Sequence, residues 1–244
     1  MKGASSGRSR KRHVQQELFR RGGKRKGAGR KPKQGRAGSP HKARPVIKPY
    51  HPVHVVMRVV PAVGNLRRRD MYKALREATI TAAMRERFRI VHVSVQRTHV
   101  HMLVEAADAT RLARGMQGFQ ISAARHINSM MSTAGHRRCG RVFSDRYHIE
   151  VIKTPTQAHH VLSYILGNWR HHREDQQGLA RTWLVDPFST GVLFPDWKEL
   201  ADKAVMWPIR ETYEPLVVRT PQSWLLREGW KRAGSISVHD VPGK

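Results

Sequence analysis

Cysteine is nearly absent from this sequence: Cys139 is the single one among 244 residues. One thiol excludes an intrachain disulfide and a multi-cysteine zinc site, and it suits a reducing cytoplasm. Acidic residues are scarce as well, 18 against 46 lysines and arginines, for a net charge of +28. So cationic a chain suits a polyanion, either nucleic acid or an anionic membrane surface. Long apolar runs are missing too. None approaches the roughly 18 residues that cross a bilayer, and no charged-then-apolar signal segment opens the chain. No membrane is therefore expected, and nucleic acid is the better partner. With 39% hydrophobic residues the sequence can fill one core while leaving part of its length outside it.

The charge is unevenly spread. Residues 1–44 hold 16 Lys and Arg against one acid, Glu17, a net +15 that leaves +13 for the other 200. With glycines at 22, 23, 27, 29, 35 and 38 and few apolar side chains, residues 1–49 are expected to form a flexible basic arm. Within it, Gly27-Ala-Gly-Arg-Lys-Pro-Lys33 is similar to an AT-hook, which would make Arg30 and Lys31 contacts in a narrow minor groove. Lys31, set between Arg30 and Pro32, departs from the Arg-Gly-Arg-Pro pattern. A plain basic tail that holds phosphates is the alternative.

Further along, periodicity predicts regular elements. His51–Val60 reads as a β-branched strand stopped by Pro61, and Met71, Leu75, Ala78 and Ala82 mark a helix from Leu66 to about Arg87. Arg89–Gln96 alternates Ile90, His92, Ser94 and Gln96 against a dry face of Val91, Val93 and Val95. Gln96-Arg97-Thr98 then turns into a strand through His99 and His101. Leu112, Met116, Phe119, Ala123 and Ile127 form the stripe of a helix from Thr110 to Met131. Gly115 and Gly118 each cost that helix about 1 kcal/mol relative to Ala, which points to close packing. A strand-like run from Val142 to Ile152 and a helix from Pro155 to His172 follow. The order β-α-β-β-α-β-α describes an α+β two-layer sandwich over residues 50–177, an antiparallel sheet of four or five strands with helices on it. Residues 178–244, turn-rich and studded with tryptophan, are expected to pack on that domain as an irregular appendage.

Strand alternation turns His99 and His101 to one face, about 6–7 Å apart, and Val100, Met102 and Val104 to the other. Two imidazoles so placed can hold a divalent metal through one ring nitrogen each, although a chain with 15 histidines also produces such a pair by chance. On the third helix Ala158, Val161, Leu162, Ile165, Leu166 and Trp169 form the apolar arc. Tyr164 and Asn168 stack four residues apart at its edge. Asn168 could add an oxygen ligand, and the Tyr164 hydroxyl could attack an electrophile held there. Tyr147, beside His148, is a rival nucleophile. Glu105 and Glu150 are rival ligands, though Glu105 lies about 13 Å beyond His101 along an extended strand. The neighbours in His159-His160 and His171-His172 diverge by about 100° on a helix and point to solvent or DNA.

His99-Val-His101 followed by Tyr164 and Asn168, in a basic α+β domain, resembles the HUH single-tyrosine transposases. More narrowly it resembles the REP-associated tyrosine transposases, relatives of the insertion-sequence 200/605 group. The likeness extends through His51-Pro-Val-His-Val, Met116-Gln-Gly-Phe119, Gly140-Arg-Val-Phe-Ser-Asp-Arg-Tyr147, Ser163-Tyr-Ile-Leu-Gly-Asn168 and Asp186-Pro-Phe-Ser-Thr-Gly191. Thr98 stands where Asn often precedes the first histidine, and Trp169 where Pro often follows the asparagine. The resemblance implies a ferredoxin-like HUH fold in a bacterial, nucleoid-associated protein. It implies metal-dependent nicking and rejoining of single-stranded DNA hairpins from palindromic repeats, through a 5′-phosphotyrosine on Tyr164. Mg²⁺, with Mn²⁺ as a substitute, would sit on His99, His101 and Asn168. Arg111, Arg114, Arg125, Arg137, Arg138 and Arg146 are the expected phosphate contacts, with solvated surface as their plain alternative. A hairpin-binding protein without chemistry, of architectural or regulatory role, is the competing function, and a basic RNA-binding protein a third. The sequence leaves open monomer or homodimer, and with it whether the tyrosine acts in cis or in trans.

Overall fold

The computed structural model describes residues 45–200 and 213–243, so the expected arm contacts Arg30 and Lys31 lie outside the described residues. Four strands, β1 (Val53–Arg58), β2 (Phe88–Val95), β3 (His99–Ala106) and β4 (His148–Val151), alternate with helices α1 (Arg69–Ala83), α2 (Ala109–Met130) and α3 (Pro155–His171). The strands form one antiparallel sheet in the order β2-β3-β1-β4. That order places β1 and β3 at the centre, as in a ferredoxin-like split β-α-β arrangement. The packed chain starts slightly before Tyr50, because Ile47 is already buried in the core.

Alternation on the central strands divides the molecule. Val53, Val55 and Met57 of β1 and Val100, Met102 and Val104 of β3 face α1 and α2, whose stripes of Met71, Leu75 and Ala78 and of Leu112, Met116 and Phe119 complete the main core. Both later helices begin at polar caps. The Asp108 carboxylate accepts the Arg111 N–H at 2.8 Å, and the Thr154 hydroxyl accepts that of Gln157 at 3.2 Å, with Pro155 in the first turn. The opposite face of the sheet carries a second layer. There α3 buries Ala158, Leu162, Ile165 and Leu166 against Leu103, together with Phe194, Trp197, Leu225 and Trp230 from the C-terminal segment. Among the described residues no helix is long and apolar enough to cross a membrane.

Two expectations need correction. The dry face of β2 is not Val91, Val93 and Val95, because the register with β3 slips between Ile90 and His92. This bulge sends Ile90 into the α1/α2 core with Val93 and Val95, and Val91 into the α3 layer. The strand expected from Val142 to Ile152 is continuous only over β4. Upstream, Phe143 bridges Val59 and the Val60 N–H donates to the Val142 carbonyl at 2.8 Å. Between the Val59/Phe143 and Val56/His148 pairs, three steps on β1 face five on the partner, so two extra residues loop out.

Gly115 is explained by contact. A Cβ there would meet the Phe88 ring at 2.3 Å, whereas one at Gly118 would meet only the guanidinium end of Arg85, at 3.1 Å. Gly115→Ala should therefore lower unfolding stability in urea by about 1–3 kcal/mol, the overpacking loss exceeding the gain in helix propensity. Gly118→Ala should be near neutral by the same measurement.

His92 joins β2 to the C-terminal segment. Its Nδ1 lies 3.1 Å from the Thr190 hydroxyl and its ring meets Phe194 edge-on. Burial lowers its pKa from 6.5 to about 4. Because the folded-state value is below the unfolded one, the contribution is full above pH 6.5 and is lost as pH falls toward 4. Over that window wild type should lose more stability than His92→Gln, by about 3 kcal/mol at most, measured as unfolding free energy against pH.

Candidate functional site

His99 and His101 extend from β3 on the face covered by α3, their rings 4.8 Å apart and edge to face. His101 is buried and His99 partly so. Across the strand, β1 contributes His54, which stacks on His101 at 5.3 Å and places its Nε2 3.1 Å from His101 Nδ1. From above, α3 lays down a row at i, i+4 and i+8: Tyr164, Asn168 and His172. The Tyr164 ring lies 5.2 Å from His101 and 6.0 Å from His54, while the His172 ring lies 5.2 Å from His99. Asn168 lies between the two ends of that row. Its side chain is 0% exposed.

Asn168 Oδ1, Asn168 Nδ2 and His101 Nε2 are all buried without a hydrogen-bond partner among the described residues. Orphaned polar atoms are rare and costly in a folded protein. Of these, Asn168 Oδ1 on the covering helix and His101 Nε2 on the strand can each offer a lone pair to a cation, whereas Asn168 Nδ2 can only donate. Among the described residues no three His, Cys, Asp or Glu side chains are arranged to hold a metal. A carboxamide oxygen lies outside that set of residue types, and Asn168 carries one on the covering helix. The Nδ1 atoms of both histidines are already engaged, that of His99 at 3.3 Å from the Thr98 hydroxyl and that of His101 with His54.

Electrostatics suit this role. Burial first, then the charges of His54, His99, His172 and Arg58, lower the His101 pKa to about 2. Burial, His172 and Arg58 bring His99 to about 4, and burial with His148 does the same for His54. The imidazoles are therefore neutral near pH 7, as ligation requires. Burial raises the Tyr164 pKa above 10, so the phenol stays protonated until something withdraws its proton.

The rival residues sit elsewhere. Tyr147 is buried in the α1/α2 core, on the far side of the sheet. Glu105 accepts the backbone N–H groups of Gln222 and Ser223 at 2.8–3.1 Å, which secures the start of the short helix α4 (Trp224–Arg227). Glu150 is exposed on the edge strand. His171 and His172 are exposed, as expected, and their rings also border the site: His171 lies 6.0 Å from Tyr164 and 5.2 Å from His172.

The arginines divide. Arg111, Arg114 and Arg125 lie on α2, which packs on the opposite face from Tyr164. Arg137 is exposed in the turn after α2, and Arg138 hydrogen-bonds the Asn128 side chain. Arg146 is exposed in the loop that donates from Ser144 N–H to the Arg58 carbonyl at 2.9 Å, near the His99 end of the sheet. Sequence reasoning missed His54 and Arg58. Arg58 pairs with His99 in the β1–β3 register, and strand alternation away from Val53, Val55 and Met57 was the available signal for both.

Residues 49–168 match the family model described as transposase IS200 like, a span that includes His99, His101, Tyr164 and Asn168. Among solved structures, one similar chain is a REP-associated tyrosine transposase bound to a REP hairpin. It is 18% identical, with a TM-score of 0.47, and the match covers 75% of this chain and 99% of that one. Another is a protein described as a transposase from Deinococcus radiodurans R1, 14% identical with a TM-score of 0.35, covering 53% and 93%. No curated protein matches the chain.

Proposed function

Residues 49–168 of this chain belong to the IS200-like transposase family, and from that premise we propose that the protein nicks and rejoins single-stranded DNA through Tyr164. Its substrates in this reading are hairpins formed by palindromic repeats. The observation that carries the proposal is the Tyr164 ring 5.2 Å from His101 of the same chain, with the buried Asn168 amide, unpartnered among the described residues, one helical turn further on. That placement favours a tyrosine acting in cis.

His99, His101 and Asn168 would hold the metal, Mg²⁺ in the cell with Mn²⁺ able to replace it. Bound there, the ion supplies Lewis-acid stabilisation of charge on the scissile phosphate. The chain's own groups do the rest. Tyr164 Oη attacks phosphorus, the Oη–P bond forms as the P–O3′ bond breaks, and the phenolic proton is balanced by the one the 3′-hydroxyl takes up. The product is a 5′-phosphotyrosine and a free 3′-OH. Because the ester keeps the phosphodiester energy, attack by a 3′-OH reverses the step and joins a strand. Packing of Tyr164 against His54 and His101 fixes the direction of approach. Arg58 and Arg146, at the His99 end of the sheet, offer positive charge to the neighbouring phosphates.

The test is to incubate the protein with labelled single-stranded hairpins from the host's palindromic repeats and Mg²⁺, then run a denaturing gel. The reading predicts a labelled band at protein plus DNA mass that disappears with a chelator. Tight hairpin binding without any adduct would replace it with the architectural or regulatory function. Competition by RNA hairpins at equal concentration would favour an RNA-binding protein.

A further inference from the structure

Metal-binding histidines commonly donate their second ring N–H to a carboxylate or a carbonyl, which fixes the tautomer and the ring orientation. His101 has neither. The partner of its Nδ1 is another imidazole, His54 Nε2, at 3.1 Å. We propose that His54 is a positioning residue, which holds His101 in the Nδ1–H tautomer and so presents a bare Nε2 to the site. This rests on the reading of His101 as a metal ligand.

The geometry limits the choices. One proton lies between the two facing nitrogens, and either ring can own it. If His101 Nδ1 carries it, His54 Nε2 accepts, and His101 Nε2 keeps a lone pair. If His54 Nε2 carries it, His101 Nδ1 accepts, and the buried His101 Nε2 becomes an N–H with no acceptor. The second arrangement strands a donor in the interior and removes a ligand, so the first is favoured whenever an ion is taken up. The free neutral histidine side chain prefers the Nε2–H form, so the environment has to impose the other one. His54 is able to do so because its position is rigid. It sits on the central strand β1, where Val56 pairs with His101 and His54 with Leu103, and its ring is stacked on His101 and flanked edge-on by Tyr164. The first histidine is served differently, by the Thr98 hydroxyl at 3.3 Å from His99 Nδ1. The two ligands are thus oriented from separate places, one by its own turn and one by a neighbouring strand.

The decisive readout is the tautomer of His101 in the intact wild-type protein without metal, from long-range ¹H–¹⁵N correlation, with His101→Asn to assign the signals. The expected result is a proton on Nδ1 and none on Nε2. His54→Phe, which keeps an aromatic ring but offers no acceptor, should move His101 toward the Nε2–H form. It should also weaken Mn²⁺ binding by about 10- to 100-fold in calorimetry. His54→Gln, whose side-chain oxygen can accept, should recover part of both. An Nε2–H signal for His101 in wild type, or Mn²⁺ affinity unchanged in His54→Phe, overturns the assignment. Should wild type bind no Mn²⁺ while His101 still carries its proton on Nδ1, the transposase reading falls and the positioning contact stands.

Discussion

Tyr164→Phe is expected to eliminate the covalent protein–DNA adduct, a loss on the order of 10⁴-fold or more in cleavage rate, while hairpin affinity stays within about twofold of wild type. The substitution removes one oxygen atom. It keeps the ring that packs edge-on against His101 and His54, so the histidine pair and the Asn168 amide above it have no reason to move. The Tyr164 phenol is held protonated by burial, so it contributes nothing to binding as a charge. In the proposed function its value is as a nucleophile. Tyr147→Phe is the matched control: that ring lies in the α1/α2 core, and its loss should leave the adduct yield unchanged. Gel-resolved adduct yield and hairpin binding, measured on the same preparations, separate the two effects. Adduct formation at wild-type rate in Tyr164→Phe would assign the nucleophile to another residue.

The second large effect concerns stability. Asp186→Ala should cost about 3 kcal/mol, because it leaves a buried guanidinium with Glu174, 4.0 Å away, as its remaining carboxylate. Asp186 is 0% exposed and Arg67 7%, and two hydrogen bonds of 2.8 Å join them. Arg67 also donates to the Val95 carbonyl at 3.0 Å and lies 4.5 Å from the Phe188 ring. On the other side, the Asp186 carboxylate accepts the Phe188 N–H at 3.0 Å and thereby shapes the Asp186–Gly191 turn. That turn continues the sheet, since Val95 N–H donates to the Phe188 carbonyl and Ser189 bridges Ser94 on β2. Losing the carboxylate therefore loosens the C-terminal segment from the strand beside the histidine pair. Urea unfolding gives the size of the loss. Asp186→Asn, which keeps a turn acceptor, should lose less, and the double change Arg67→Met with Asp186→Leu should lose less than Asp186→Ala alone. A near-neutral Asp186→Ala would mean that this pair does not anchor the segment.

Much of this arrangement was legible in the sequence where it depends on local period. The His-x-His alternation on β3 and the i, i+4 spacing of Tyr164 and Asn168 each place two groups on one side of an element, and both survive in the structure. What was hidden depends on pairing between distant segments. His54 reaches His101 across 47 residues, through a β1–β3 register that nothing local announces. The bulge at Ile90 and His92 exchanges the sides of Ile90 and Val91 while Val93 and Val95 stay inward, although every residue there reads as good strand. Glu105 shares the histidines' face, yet its carboxylate is taken by amides 117 and 118 residues away. His172 could have been found from the spacing alone, as the next position of the row after Asn168, had the row been extended one more turn.

The central claim is that two imidazoles on a strand and a carboxamide on the covering helix surround one ion beside a tyrosine. Anomalous diffraction from crystals of the wild-type protein soaked in Mn²⁺ tests it most directly. The account predicts a single strong peak within bonding distance of His99 Nε2, His101 Nε2 and Asn168 Oδ1, with the Tyr164 hydroxyl facing it. A peak bound to other residues, or none at these three atoms under saturating Mn²⁺, would contradict it.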